Sequence, residues 1–188
     1  MFKNWLLKLA CAYYAFVFGR KWGVKWYGYT LDADVVSWQD YLAVARFETG
    51  DLKSSLYQRA NNAYGMRVPE KRRWFGNGED NNYSTYSSVW WSVRDFFEWL
   101  DYFGFADFYK KQQGPNAVLT SGVNDLVYFM KSKNYFEADL NQYSDGVNYY
   151  VEKYIDEKNP LTSAVLLLLM PSIVWLAWKF YKRKKLPI

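Results

Sequence analysis

The sequence predicts a mainly α-helical domain with one small β-hairpin, followed by a C-terminal transmembrane helix. Three observations predict it. Apolar residues recur at three- and four-residue spacing in several segments between residues 37 and 157. Gly76-Asn77-Gly78, flanked by short polar stretches, reads as a hairpin or exposed loop. Residues 161–181 form a 21-residue apolar run with one proline, Pro171, and one basic residue, Lys179. Crossing a bilayer core takes roughly 20 helical residues.

Composition narrows the chemistry. At 188 residues the chain holds one domain plus appendages. Its 10 Trp, 18 Tyr and 13 Phe exceed what a core needs. Trp and Tyr join an apolar body to a polar tip, which suits both sugar-stacking clefts and membrane interfaces. Histidine is absent, which removes Ser-His-Asp and Cys-His catalysis and the commonest zinc sites. The single cysteine, Cys11, allows no internal disulfide. Acid–base work therefore falls to Asp, Glu, Lys or Tyr, and no metal or cofactor is called for.

The net charge of +5 is unevenly distributed. Residues 1–25 carry five basic groups and no acid, and residues 179–188 carry five more, again without an acid. Residues 26–178 hold 14 basic against 19 acidic groups. A nucleic-acid binder concentrates positive charge on its folded domain. Here the charge flanks apolar runs at the two ends, so membrane topology is the expectation and a nucleic-acid partner is not.

In order along the chain, residues 1–20 are apolar and basic. A signal peptide lacks a clean small-x-small cleavage site, and a spanning helix is short. An interfacial, membrane-associated or partner-packed helix with snorkelling lysines fits better. Residues 21–36 are a Gly- and aromatic-rich connector. Ser37 opens a helix with Asp40 three residues on, a capping-box spacing. Tyr41, Ala45 and Glu48 follow on one face, and Gly50 is a helix stop. Glu48 thus ends an apolar face, where desolvation raises a carboxyl pKa and keeps a proton near neutral pH. The competing expectation is an ion pair with Arg46, Lys53 or Arg67.

A second short helix is predicted over residues 52–60, running into Asn61-Asn62, which either hold turn conformations or hydrogen-bond a sugar acetamido group. Residues 87–103 form a strong amphipathic helix, with Trp90, Val93, Phe97, Leu100 and Phe103 towards the core. Further helices are predicted over 105–113, 118–131 and 146–157, with 132–145 a polar connector. The 161–181 segment carries Trp175, Trp178 and Tyr181 as an aromatic belt and is stopped by the basic tail, 182–188. The positive-inside rule puts that tail on the cytoplasmic-equivalent side and the domain opposite.

Glu48-Thr49-Gly50 followed by Asn61-Asn62-Ala63-Tyr64-Gly65-Met66-Arg67 resembles the glucosaminidase-type domain of glycoside hydrolase family 73. Tyr86-Ser87-Ser88 before the Asp95 helix resembles its next landmark, and Met130 to Phe136 leading to Val147-Asn148-Tyr149-Tyr150 its closing segment. The resemblance covers roughly residues 37–157. It implies a lysozyme-like α+β fold and cleavage of the β-1,4 bonds of peptidoglycan, as in autolysins, flagellar muramidase-like proteins and phage lytic proteins. Glu48 aligns with the family's catalytic acid and Tyr86 with its cleft tyrosine. Asn61, Asn62, Tyr64, Gly65 and Arg67 align with the loop lining the sugar site.

One position departs from that pattern. Where many members carry a second carboxylate, this chain has Trp91. Glycoside hydrolysis ordinarily takes two carboxylates. Glu79 or Asp80 on the adjacent loop is one replacement base. The substrate's N-acetyl group or the muramic 6-hydroxyl is another, needing only Glu48, and Trp91 tilts the expectation towards a single-acid mechanism. The expectation is a membrane-anchored peptidoglycan glycosidase in a phage virion membrane or bacterial envelope, with virion or envelope proteins as possible partners. The alternative is a non-catalytic wall-binding or structural protein retaining the domain.

Overall fold

The computed structural model describes residues 2–22, 36–112, 122–154 and 156. They form seven helices and one hairpin: α1 (Phe2–Trp22), α2 (Trp38–Glu48), α3 (Ser55–Ala60), β1 (Gly78–Asp80), β2 (Tyr83–Thr85), α4 (Val89–Tyr102), α5 (Phe105–Gln112), α6 (Gly122–Ser132) and α7 (Leu140–Lys153). The mainly α class with a small hairpin is therefore observed. The expected span at 161–181, the basic tail and most of the 21–36 connector lie outside the described residues. Among the described residues no helix is long and apolar enough to cross a membrane.

The first difference from expectation is α1. It belongs to the same compact unit as the helices down to residue 157, so the domain does not begin at residue 37. Leu7, Cys11, Tyr14, Phe18 and Trp22 recur at three- and four-residue spacing and are buried. The last three pack along α4 in the same chain direction, Tyr14 on Trp90 at 5.3 Å between ring centroids and Phe18 and Trp22 on Phe97 at 5.4 and 6.3 Å, and Trp22 also meets Phe105 of α5 at 5.5 Å. Both ends are fastened by polar bonds. Lys3 Nζ donates to the carbonyls of Tyr57 and Gln58 at 2.5 and 3.0 Å, meeting open acceptors at the end of α3. Lys21 Nζ and Trp22 Nε1 donate to Asp101 at 2.6 and 2.8 Å. Apolar periodicity alone does not distinguish a helix lying on lipid from one lying on its own domain.

The capping box at α2 forms in full, with Ser37 N–H donating to Asp40 Oδ2 and Asp40 N–H to Ser37 Oγ. Residues 50–52 then turn left-handed, with φ of +56, +59 and +68° at Gly50, Asp51 and Leu52. Thr49 holds this turn together: its hydroxyl donates to Ala45 C=O at 2.6 Å and accepts from Leu52 N–H at 3.0 Å. The same turn delays α3, which starts at Ser55 behind the cap Ser54 rather than at Leu52.

The hairpin also differs in detail. Its tight turn is Asn81-Asn82, with φ of +51 and +66°, and Gly78 already lies in β1. Two consecutive positive-φ residues are what a two-residue hairpin turn requires, and Asn supplies them nearly as well as Gly. Glu79 faces Ser84 across the ladder. Tyr83 bridges to Arg67 and Ser84 N–H donates to Met66 C=O at 2.8 Å, so the hairpin is fixed to the 62–67 loop.

On α4, Val93, Phe97 and Leu100 are buried as predicted, together with Phe96 and Asp95, while Phe103 stays 38% exposed. The buried face is wider than the pattern suggested because α4 is covered by α1 on one side and by Tyr64 and Tyr135 on another. The largest correction is α7. It begins at Leu140, six residues earlier than expected, behind Asp139, whose carboxylate accepts from Asn141 and Gln142 N–H.

Candidate functional site

Glu48 is the last residue of α2, and three elements converge on its carboxyl group. From α7, the Tyr143 hydroxyl donates to Oε1. From the 62–67 loop, Gly65 lies against Oε2. A Cβ at position 65 would sit 3.3 Å from that oxygen, and φ is +62°, so glycine serves both the close approach and the backbone conformation. From the 133–137 segment, Phe136 stacks on the Tyr143 ring at 3.6 Å, while Phe47 meets its edge at 4.7 Å. Gly146 permits this closure. A Cβ there would fall 2.1 Å from the Phe47 ring, so α7 reaches α2 only because that side chain is missing.

The electrostatics follow from the packing. Burial pushes the Glu48 carboxyl up to about 7, with the Tyr143 hydrogen bond pulling the other way. Among the described residues no ion pair reaches Glu48. Arg46 bonds Asp51 at 2.7 Å instead, and Asp51 also takes Lys153 at 3.2 Å and the Tyr154 hydroxyl at 3.0 Å. Of the partners considered from sequence, Arg46 is thus directed elsewhere. Burial thus holds Glu48 as a carboxyl group that keeps its proton to much higher pH than an ordinary glutamate.

The neighbouring loop is built from residues that the sequence assigned to substrate. Asn62 is fully buried. Its amide donates to Met66 C=O and Ser84 C=O at 2.8 and 2.9 Å and accepts from the N–H groups of Tyr64 and Met66. Tyr64 is also fully buried, stacked on Phe96 at 4.0 Å, its hydroxyl 3.2 Å from Tyr41 C=O. Asn61 takes the left-handed conformation that ends α3 and donates to Tyr86 C=O at 2.8 Å. All three hold the loop in shape; for the fully buried Asn62 and Tyr64 this corrects the expectation that they face a sugar, while half-buried Asn61 takes the turn role that was its other expected reading. Gly65 and Arg67 do line the cavity. Arg67 is exposed, its guanidinium 5.8 Å from the Tyr83 ring centroid.

Tyr86 is likewise internal. Its hydroxyl donates to Asp95 Oδ2 at 2.7 Å, and Arg72 grips the same carboxylate through two bonds of 2.5 and 2.9 Å. Burial and then the Asp95 charge hold the Tyr86 phenol well above its ordinary value. Tyr135 stands between the two acids. Burial and the nearby Glu48 charge raise its phenol, and its hydroxyl donates to Tyr64 C=O.

The cavity has a volume of about 720 Å3. It runs between residues 65–72 and residues 133–137, with Trp99, Tyr102 and Phe103 of the α4 end along its floor. Gly65 and Phe136 belong both to its lining and to the surroundings of Glu48. Glu48 itself does not line the pocket; Gly65, which touches its Oε2, and Phe136, which stacks on Tyr143, stand between the acid and a space of small-ligand size.

Among the described residues no second carboxylate shares a hydrogen bond with Glu48 or with Tyr143. Glu79 is exposed on β1, and Asp80 is paired with Arg59 Nε at 2.8 Å. Trp91 is 36% exposed and stacks on Phe75 at 6.2 Å, with Arg94 5.5 Å from its ring, and it does not line the cavity. Tyr143 and Tyr135 went unnoticed in the sequence because residues 132–145 read as a connector. The signal for Tyr143 was present: Asp139 as a cap, then Tyr143, Val147 and Tyr150 at helical spacing. Among the described residues no group of acidic or cysteine side chains is arranged to hold a metal. No family model, curated protein or solved structure matches the chain.

Proposed function

We propose that the chain is a membrane-anchored peptidoglycan glycosidase in which Glu48 is the general acid. The observation that carries this reading is a lone carboxyl group, raised to about 7 by burial and packed against Gly65, a residue that lines a 720 Å3 pocket. A group of that pKa protonates a leaving glycosidic oxygen at neutral pH and leaves as carboxylate. The Tyr143 hydrogen bond to Oε1 then stabilises the anion formed. The order of the family-like motifs supports a lysozyme-like domain around this acid. The apolar run at 161–181, its aromatic belt and the basic tail support a single C-terminal anchor, in a phage virion membrane or bacterial envelope.

The positions of Glu79, Asp80 and Trp91 support a mechanism with one protein carboxylate. The sugar's own group then completes the displacement. An N-acetyl oxygen attacks the anomeric carbon to form a ring later opened by water, or the muramic 6-hydroxyl attacks and leaves an anhydro end. The same observation favours a second reading, a wall-binding protein without activity. The test is digestion of purified peptidoglycan followed by mass spectrometry of the fragments. Anhydromuramic, reducing GlcNAc or reducing MurNAc ends identify transglycosylase, glucosaminidase or muramidase chemistry. Binding with no new ends, or equal cleavage by Glu48→Gln, overturns the proposal.

A further inference from the structure

The pocket beside Glu48 differs in charge from the domain that surrounds it. Residues 26–178 are net acidic, yet Arg67, Lys71 and Lys133 all line this pocket. Among the described residues none of the three has a carboxylate within ion-pair distance. Arg67 and Lys133 rest over aromatic rings, at 5.8 Å from Tyr83 and 5.5 Å from Phe129. Two acids, Glu70 and Glu137, share the lining, so the local balance is a small positive excess. A fourth cation, Arg72, is different in kind, since it is buried and held by Asp95. The floor is aromatic, with Tyr102 53% exposed.

A neutral glycan needs the aromatic floor and has no use for unpaired cations. An acidic substituent carried on the glycan uses both. We infer that this pocket receives the acidic peptide stem borne by the muramic residue, with Lys71 and Lys133 taking its carboxylates while the sugar lies towards the Gly65 side, next to Glu48. The inference rests on the peptidoglycan reading of the site and goes beyond it by assigning what the substrate must carry. Its physical basis is complementarity at a partly desolvated rim, where each ion pair is modest and several together discriminate. The consequence is selectivity: strands stripped of their peptides, and uncharged GlcNAc polymers, bind more weakly than intact ones.

The test uses the full chain in detergent or vesicles and compares intact peptidoglycan with the same strands freed of peptide by a wall amidase. The expected result is a KM about fivefold to tenfold lower on intact strands. Lys71→Ala with Lys133→Ala should bring the KM ratio near one. Lys71→Arg with Lys133→Arg should keep the preference, because the charge is retained. Equal KM on both strands in the unmodified protein overturns the pocket assignment while the glycosidase reading stands. So does a preference that survives removal of both lysines, or one that the arginine pair loses. No cleavage of either strand overturns the glycosidase reading and this inference with it.

Discussion

Asp95 and Glu48 are both carboxylates withdrawn from water, and each accepts a hydrogen bond from a tyrosine, Tyr86 in one case and Tyr143 in the other. The Asp95 side chain is fully buried and faces a guanidinium through two parallel bonds. Such bidentate pairing offsets desolvation and locks orientation. Glu48 has one hydrogen bond and no cation among the described residues, and its pKa rises to about 7. One acid is therefore a rivet, joining the 72 region, Tyr86 and α4. The other is left undercompensated, and a proton is what relieves it. The difference is the physical ground for the catalytic role proposed for Glu48, and it needs no appeal to any related protein.

Substitutions can break or sharpen that contrast. The largest expected effect is loss of cleavage in Glu48→Gln, by about 100-fold to 10,000-fold, read as new sugar ends. Gln keeps the shape and hydrogen bond to Tyr143, so the circular dichroism spectrum stays native. Next is Asp95→Ala, which leaves Arg72 charged and buried and should cost about 3–5 kcal/mol in urea unfolding. Third is a stabilisation: Glu48→Gln should unfold later than the parent at pH 8 and equally at pH 4. The folded pKa is raised, so the native state holds its proton where the unfolded chain has lost it. Stability from this group is present at low pH and is lost as pH rises from about 4.5 to about 7. The gain above pH 7 is at most roughly 3 kcal/mol. The smallest effect belongs to Tyr143→Phe. Losing a donor to the carboxylate raises the Glu48 pKa further, and the high-pH limb of activity should move up by about one pH unit. A downward move would contradict the placement of Tyr143.

Much of this contrast was legible beforehand. The capping box at Ser37, the apolar face ending in Glu48 and the core of α4 follow from spacing, which is local. Asn62 and Tyr64 were misassigned because sequence shows an amide or phenol without its partners, and those partners lie up to 53 residues away. Tyr143 lies 95 residues from the acid it touches, and only the missing side chain at Gly146 brings the two elements together. The packing of α1 on its own domain was not legible for a related reason: much of its interface is supplied by α4, about 80 residues on.

That distance has a bearing on how the chain is made. Trp22 emerges from the ribosome long before Asp101, its partner 79 residues downstream. Until α4 arrives, the Tyr14, Phe18 and Trp22 side of α1 lacks its cover, although α2 and α3 already meet the helix elsewhere, and docking so remote a pair is slow. A newly synthesised α1 thus carries an aromatic side that is completed only late, and that side is prone to self-association until α4 docks. Lys3 can reach its acceptors on α3 before Lys21 and Trp22 have Asp101 to bond, so the clasp on α1 closes from its N-terminal end.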